Sequence, residues 1–278
     1  MTDIEYSKSI QTNSENSSTS GEASLFSRTL IIFDFDDTLF CTKYLDTFSL
    51  SYKDIFSSKV SLKETNPNLY KEIKKVESAI IGLFSNLIQN YDIIIISNAD
   101  LKWITNCLDH FLEELKEFIN ENNIKIYSAK NIFSKLVGNK TERKIKCFEK
   151  AINDLYKNDI KYNDLNVISI GDGKEEKKAV FTLTKCKKYH KINSKFIHTI
   201  TYPTAASIIL QLNYLNNNLN SIIYDNNTTF KIAIEMKNNK AAINCIASKK
   251  NKREGIFDNF LKLNYLDDNK APFKYDKY

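Results

Sequence analysis

The sequence predicts an α/β fold in which helices cover both faces of a mainly parallel sheet, a three-layer, doubly wound architecture. Two observations support this. Short apolar, β-branched runs typical of strands recur between longer segments whose apolar residues have helical spacing. In addition, residues 93–96 are four consecutive isoleucines, a pattern typical of a strand that is buried on both faces. In such sheets, ligands bind beyond the carboxyl ends of the strands.

The composition predicts a globular protein of a reducing compartment. The chain has 278 residues, of which 42% are hydrophobic, enough for one large or two modest domains. Its net charge of +6 is spread along the chain, and no nucleic-acid recognition motif accompanies the lysines. The five cysteines form no Cys-x-x-Cys pair, which argues against a zinc site or a disulfide framework. No signal pattern or membrane-length apolar run is present, so we expect a cytoplasmic or nuclear protein.

Three segments follow from the distribution of apolar residues. Residues 1–27 are rich in Ser, Thr, Asn and Glu, and we expect a disordered tail there. Residues 28–202 carry the alternation of strands and helices and form the main domain. Residues 203–278 are expected to form a C-terminal extension that is partly disordered.

The first strand ends in a cluster of carboxylates. Leu30–Phe33 are apolar, and Asp34, Asp36 and Asp37 follow them. In an extended chain, Asp34 and Asp36 point to the same side, so they repel each other unless a cation lies between them or one is protonated. The alternative is an N-cap cluster for a helix that begins near Leu39. The spacing of the two acids directly after a buried strand favours a functional site.

The segment between the first and second strands is expected to form a small helical cap at about residues 42–90. Apolar residues between Leu69 and Leu87 have helical spacing, and Pro67 is a start signal for that helix. The cap is short, which predicts an open site.

Polar residues also follow the later strands. Ser97 ends the second strand, where it either caps the next helix or belongs to a site. Trp103, on that helix, is assigned to packing. A third strand at residues 124–129 precedes a basic helix that contains Lys140 and Lys144. A fourth strand ends in Gly171-Asp172-Gly173, and these glycines give the backbone the freedom that a tight turn requires.

Together these segments resemble the four motifs of the haloacid dehalogenase-like (HAD) phosphatases. Asp34, Asp36, Thr38 and Leu39 match the first motif, and Ser97 matches the second. A lysine at the start of the basic helix matches the third motif, and Gly171-Asp172 followed by an acid matches the fourth. The resemblance implies a Rossmann-like HAD catalytic domain and a Mg²⁺-dependent hydrolase of phosphate monoesters.

The resemblance also implies a role for each residue. Asp34 would be the nucleophile that forms an aspartyl-phosphate, and Asp36 the general acid and base. Phosphate would be bound by four residues: Thr38, Ser97, Asn98 and Lys144. The metal would be held by Asp34, Asp172 and the carbonyl group of Asp36. Glu176 would orient Asp172 or a metal-bound water, with Glu175 as the alternative.

Within the superfamily, residues 126–176 are similar to the Eyes absent phosphatases. The similarity includes Lys144-x-x-Cys147-Phe148-Glu149, and this spacing favours Lys144 over Lys140. It implies a phosphorylated substrate, either a protein, including phosphotyrosine, or a small molecule. The alternatives are a non-catalytic phospho-binding or scaffold protein, a small-metabolite phosphatase, and a phosphomutase or dehalogenase.

The C-terminal extension is expected to contain one helix and one hairpin. Pro203-Thr204 is a helix start signal, and the helix should end near Leu215, before the Asn-rich residues 216–220. The hairpin should then pair residues 221–224 with residues 229–235 around an Asp-Asn-Asn turn.

Overall fold

The structure, a computed structural model, describes residues 28–156, 165–185, 192–237, 240–248 and 260–261. Its strands are β1 (Arg28–Phe33), β2 (Asp92–Ser97), β3 (Lys125–Ser128), β4 (Leu165–Gly171), β5 (Asn193–His198), β6 (Thr229–Lys237), β7 (Lys240–Ser248) and β8 (Phe260–Leu261). Its helices are α1 (Thr42–Asp46), α2 (Tyr52–Phe56), α3 (Leu62–Thr65), α4 (Pro67–Leu87), α5 (Leu101–His110), α6 (Glu113–Glu121), α7 (Ala129–Phe133), α8 (Lys140–Tyr156), α9 (Lys174–Leu183) and α10 (Ala205–Tyr224). The tail expected at residues 1–27 lies outside the described residues.

The described strands form one sheet in the order β3-β2-β1-β4-β5-β6-β7-β8. Neighbouring strands from β3 to β6 are parallel, whereas β7 is antiparallel to β6, and β8 is antiparallel to β7. The predicted α/β class with a mainly parallel sheet is therefore confirmed. β1 lies between β2 and β4, so that Ile31 pairs with Ile93 on one side and with Ile168 on the other.

Apolar side chains of helices pack against both faces of β1. Leu30 and Ile32 belong to a core cluster that includes residues of α8 and α9. Ile31 and Phe33 belong to a second cluster that includes residues of α4 and α10. Full burial of such a side chain contributes about 1.5–3 kcal/mol. The uninterrupted apolar run therefore stabilises β1 as a central strand.

The structure has four helices, α1 to α4, between β1 and β2 in this described part of the chain. As predicted, α4 begins at Pro67, and the Asn66 side chain caps it by accepting a hydrogen bond of 3.1 Å from the Leu69 amide. The predicted apolar face of α4 is buried: Leu69, Ile73, Val76, Ile80, Leu83, Phe84 and Leu87. No helix in the described ranges has both the length and the apolarity needed to cross a bilayer.

The C-terminal helix and hairpin differ from the prediction. α10 continues to Tyr224, so the predicted loop at residues 216–220 and the first predicted hairpin strand at residues 221–224 are helical. The reason is that Leu215, Leu219 and Ile222 continue the buried apolar face of the helix. This burial outweighs the low helix propensity of asparagine. The hairpin is instead formed by β6 and β7.

The end of α10 is held by a buried lysine of β5. Nζ of Lys195 donates a 3.1 Å hydrogen bond to the carbonyl oxygen of Ile222 and another to the carbonyl oxygen of Asp225. The last carbonyl groups of a helix have no partner within the helix, and the ammonium group supplies one. Burial lowers the pKa of Lys195. This contact fixes the end of α10 to β5, and the pairing of β6 with β5 places β6 in the same sheet as the strands of the main domain.

Candidate functional site

The carboxyl ends of three adjacent parallel strands bring polar side chains together. Asp34 directly follows β1, Ser97 is the last residue of β2, and Asp172 directly follows β4. The amide of Asp34 donates a hydrogen bond of 2.9 Å to the carbonyl oxygen of Ile170, so the first acid is still held beside β4. Because β1 lies between β2 and β4, these side chains lie at one edge of the sheet.

Lys144 connects two carboxylates at this edge. Its Nζ lies 2.6 Å from Oδ1 of Asp34 and 2.7 Å from Oε1 of Glu176, and the residue is 1% exposed. Lys144 lies on the buried face of α8 with Cys147, Phe148 and Ala151, at helical spacing. Lys140, the alternative, is exposed at the first residue of α8. The orientation of α8 therefore brings Lys144 to the acids.

Asp34, Asp172 and Glu176 form a compact acidic cluster, in which one ligand atom from each residue lies within 4.8 Å of the others. Glu176 enters the cluster from the first turn of α9, and Glu175 beside it is more exposed. A Cβ atom at Gly171 would lie only 2.6 Å from Cγ of Glu176. Glycine at this position therefore leaves room for the Glu176 side chain to lie across the end of β4.

Lys144 contacts two of the three acids, Asp34 and Glu176, and the pKa values of the three acids differ accordingly. Burial raises the pKa of Asp34 to about 7, although the Lys144 charge opposes the shift. Burial and the charge of Glu176 raise the pKa of Asp172 to about 6. Burial alone would also raise the pKa of Glu176, but the Lys144 ammonium holds that pKa below its usual value. The cluster therefore has an excess of acid that a further cation would offset.

The donor atoms of the cluster suit a hard divalent cation. Carboxylate oxygens are the ligands that Mg²⁺ prefers in proteins. Oε1 of Glu176 contacts Lys144, whereas Oε2 is buried and has no hydrogen-bond partner among the described residues. The cluster therefore contains Asp34 and Asp172, as expected, together with the Glu176 carboxylate. The carbonyl group of Asp36 remains only a predicted ligand.

Asp36 is held by donors from three elements. Its Oδ1 accepts hydrogen bonds of 2.5 Å from the Thr42 hydroxyl group and 3.0 Å from Nε1 of Trp103. The Ser97 hydroxyl group lies 3.5 Å from its Oδ2. Trp103 does pack, against Tyr52 of α2 with 5.2 Å between ring centroids. The predicted packing of Trp103 is therefore confirmed, and its indole N–H also donates to Asp36.

Asp37 has a different environment from its neighbours. Its φ angle of 54° lies in the left-handed region, and the chain turns here. Oδ2 of Asp37 lies 2.9 Å from Nζ of Lys43, and Oδ1 accepts a hydrogen bond of 3.1 Å from the Lys43 amide. Asp37 therefore stabilises the turn that presents Asp34 and Asp36.

Of the remaining predicted phosphate-binding residues, Thr38 lies in the turn after β1, and Asn98 directly follows β2. The Thr38 hydroxyl group is buried, 3.4 Å from that of Thr199. Oδ1 of Asn98, next to Ser97, is buried and has no hydrogen-bond partner in the described ranges. Ser97 itself accepts a hydrogen bond of 3.0 Å from the Ala99 amide.

Sequence reasoning missed Gln211, a fully buried residue of α10. Its Nε2 donates a hydrogen bond of 2.9 Å to the carbonyl oxygen of Thr38, and its Oε1 accepts one of 3.2 Å from the Ile200 amide. One side chain thus joins the turn after β1 to the loop after β5.

No family model matches this chain, and no curated protein or solved structure matches it either.

Proposed function

We propose that the protein is a Mg²⁺-dependent phosphomonoester hydrolase with a three-layer, HAD-like catalytic domain and Asp34 as its nucleophile. The observation that carries the proposal is the contact of one buried ammonium group, Lys144, with two carboxylates at the carboxyl edge of the sheet. An ion pair at the surface would not require a buried lysine. In a buried pair, removal of one partner leaves the other charge uncompensated, which costs free energy of folding. A reaction centre that must hold both an anionic nucleophile and an anionic substrate does require such a lysine.

Asp34 would attack the phosphorus atom in line with the leaving oxygen. The bond to the leaving oxygen breaks as the aspartyl-phosphate forms, and Asp36 donates a proton to that oxygen. Asp36 then takes a proton from the water that hydrolyses the aspartyl-phosphate. The separate environments of the two acids support this division, because Asp34 contacts an ammonium group whereas Asp36 accepts hydrogen bonds from neutral donors.

Lys144 and Ser97 would bind oxygens of the transferred phosphoryl group. Lys144 also opposes the effect of burial on Asp34 and so favours the ionised form that attack requires. Asn98, which directly follows Ser97, is a further candidate, and its Nδ2 group would be the donor to a phosphoryl oxygen.

Asp34, Asp172 and Glu176 would hold Mg²⁺, since their oxygens form a cluster with an excess of acid. When bound, the ion would offset the repulsion between the carboxylates and the phosphate oxygens. The buried Oε2 of Glu176, which lacks a described hydrogen-bond partner, supports a ligand role for this residue.

Two features favour a phosphorylated protein as the substrate. The local similarity to the Eyes absent phosphatases favours a phosphorylated protein, including phosphotyrosine, over a small phosphomonoester. The small insert formed by α1 to α4 also favours a site that a macromolecule can reach.

The test is hydrolysis of p-nitrophenyl phosphate and of phosphopeptides by the full chain, with Mg²⁺ and with EDTA. We expect turnover that EDTA abolishes and that Asp34→Asn abolishes while the unfolding temperature stays close to that of the wild type. Turnover that survives in Asp34→Asn would exclude Asp34 as nucleophile. Tight binding of phosphopeptides without turnover in the wild type would instead indicate a phospho-binding scaffold.

A further inference from the structure

Strand β6 extends past the end of its parallel neighbour β5. The pairing of the two strands stops where His198, the last residue of β5, lies opposite Lys231. β6 continues to Lys237 and pairs with β7 along its whole length on the other side. Residues 232–237 therefore have no strand partner on the β5 side among the described residues.

The main-chain groups that face this open side can be identified from the ladder. Phe196 donates a hydrogen bond of 2.9 Å to the carbonyl oxygen of Thr228, and alternate residues of a strand direct their N–H and C=O groups to the same side. The main-chain N–H and C=O groups of Ile232 and Ile234 therefore point to the same side as those of Thr228. The carbonyl group of Ile232 and both main-chain groups of Ile234 lie beyond the end of the β5 ladder. Ile232 is buried, whereas Ile234 is partly exposed, so the accessible main-chain groups are those of Ile234.

A groove of about 410 Å³ lies beside this edge, lined by His198–Thr201, Ser207 and Lys231–Ile234. Its volume is within the range of ligand-binding pockets. The titratable side chains that line it are His198 and Lys231, and no acid is among the lining residues. The groove therefore suits an occupant that carries negative charge.

The groove also adjoins the candidate active site. Nε2 of His198 lies 2.8 Å from the carbonyl oxygen of Asp172, and the amide of Thr199 donates a hydrogen bond of 3.0 Å to the carbonyl oxygen of Gly171. A chain paired with the open edge of β6 would lie in line with β5. It would be about 5 Å from the axis of β4 and about 10 Å from that of β1, one and two strand spacings. A long phosphorylated side chain could span that distance to Asp34.

We propose that the open edge of β6, at Ile234, binds an extended segment of a phosphorylated protein substrate by strand addition. Hydrogen bonds to the main-chain N–H and C=O groups of Ile234 would supply affinity that depends little on sequence, as in other cases of strand addition. The phosphorylated side chain would point from this segment toward Asp34. This inference rests on the proposed function, and it adds the part of the surface that selects a protein substrate.

Binding tests the inference independently of turnover. The probe is a short fluorescent peptide with one central phosphotyrosine between valine and threonine residues, bound to the Asp34→Asn chain in Mg²⁺. In two further peptides, alternate main-chain nitrogens are methylated. One peptide is methylated at the odd-numbered residues and the other at the even-numbered residues, which we call the two parities. Strand addition uses the N–H groups of one parity only. We expect one peptide to bind about tenfold more weakly and the other to bind within about twofold of the parent. Equal affinities for all three peptides, or equal losses for both methylated ones, would overturn the proposal.

A matched pair of variants tests the protein side. Ile234→Pro removes the N–H group on the open side and leaves the pairing with β7 intact, because proline is tolerated at strand edges. Ile234→Val retains that N–H group. With wild-type Asp34, we expect Ile234→Pro to lower the ratio of kcat/KM for the peptide to kcat/KM for p-nitrophenyl phosphate about tenfold, and Ile234→Val to keep it. An unchanged ratio in Ile234→Pro would overturn the docking site and leave the proposed hydrolase standing. Absence of turnover in the wild type would contradict the proposed hydrolase activity. The peptide-binding result would still decide whether the docking site exists.

Discussion

Nε1 of Trp103 lies 3.0 Å from Oδ1 of Asp36, so the first turns of α5 hold a carboxylate that follows the central strand. Trp103 also contacts Tyr52 and Phe56 of the insert, with 5.2 and 5.6 Å between ring centroids. It therefore joins the proposed general acid to α2 of the insert.

The Trp103–Asp36 hydrogen bond can be removed with little loss of packing. Trp103→Phe retains an aromatic ring but has no N–H donor, and such a bond contributes about 0.5–1.5 kcal/mol. We expect turnover of p-nitrophenyl phosphate to fall by about three- to tenfold, with a small change in KM. Unchanged turnover would show that Thr42 and Ser97 suffice to hold Asp36. Because Trp103 is the one tryptophan of the chain, wild-type fluorescence should also change when phosphate and Mg²⁺ bind.

Asp36 and Asp37 are adjacent acids for which we predict different effects of the same substitution. Asp36→Asn removes the proposed general acid and should lower kcat by about 10²–10⁴. Asp37→Asn should change kcat far less, because Asp37 contacts Lys43 and asparagine tolerates its left-handed conformation. Steady-state kinetics on both variants decides the point. Equal losses of kcat would contradict the separate roles.

Lys144 and Lys140 provide a second matched pair, on one helix. Lys144→Met leaves Asp34 and Glu176 without their buried cation, and we expect about 3–5 kcal/mol lower unfolding free energy and almost complete loss of turnover. Lys140→Met, at the exposed start of α8, should leave both unchanged. Denaturant unfolding and phosphatase assays measure the two effects. If Lys140→Met lost activity and Lys144→Met did not, Lys140 rather than Lys144 would be the lysine of the site.

The raised pKa values of Asp34 and Asp172 predict how stability depends on pH and Mg²⁺. A carboxyl group whose pKa is raised on folding stabilises the fold while protonated, and this contribution is lost as pH rises through the folded pKa. Without a divalent cation, the unfolding free energy should therefore fall between about pH 4 and 7. Mg²⁺ binds the ionised carboxylates, so its upward shift of Tm should be larger at pH 7.5 than at pH 5. Equal shifts at the two pH values, at matched ionic strength, would argue against these ligands.

Gln211 should matter for both stability and turnover. Gln211→Met has a similar volume but leaves the Thr38 carbonyl and the Ile200 amide without their partner. An unsatisfied buried group costs about 1–3 kcal/mol, so we expect a loss of that order in unfolding free energy, together with lower kcat. Asn213→Met, at an exposed position of α10, serves as the control and should shift stability by less than about 0.5 kcal/mol.

The strands and the acids that follow them could be predicted because both signals are local. A buried parallel strand needs a short apolar run, and the residue after it lies at the carboxyl edge of the sheet, as Asp34 and Asp172 do. The position of Lys144 could also have been read from helical spacing, since Cys147, Phe148 and Ala151 lie on the same face of α8.

The contacts of Trp103 and Gln211 could not be predicted, because they depend on how helices dock against distant turns. Gln211 contacts Thr38 across most of the chain, and nothing near either residue indicates the contact. The end of α10 was predicted wrongly for a related reason. The asparagine-rich residues are typical of a loop, but here they are helical because Leu219 and Ile222 pack in the hydrophobic core.

The position of β1 between β2 and β4 has a consequence for how the protein is made. During translation, Leu30–Phe33 are synthesised before their β4 partners, which follow only after α8. Until then, one edge of the strand that carries the proposed nucleophile remains open on the nascent chain. Pairing over so long a stretch of sequence slows folding. Chaperones that shield exposed strands should therefore raise the yield of active protein more than they change its final stability.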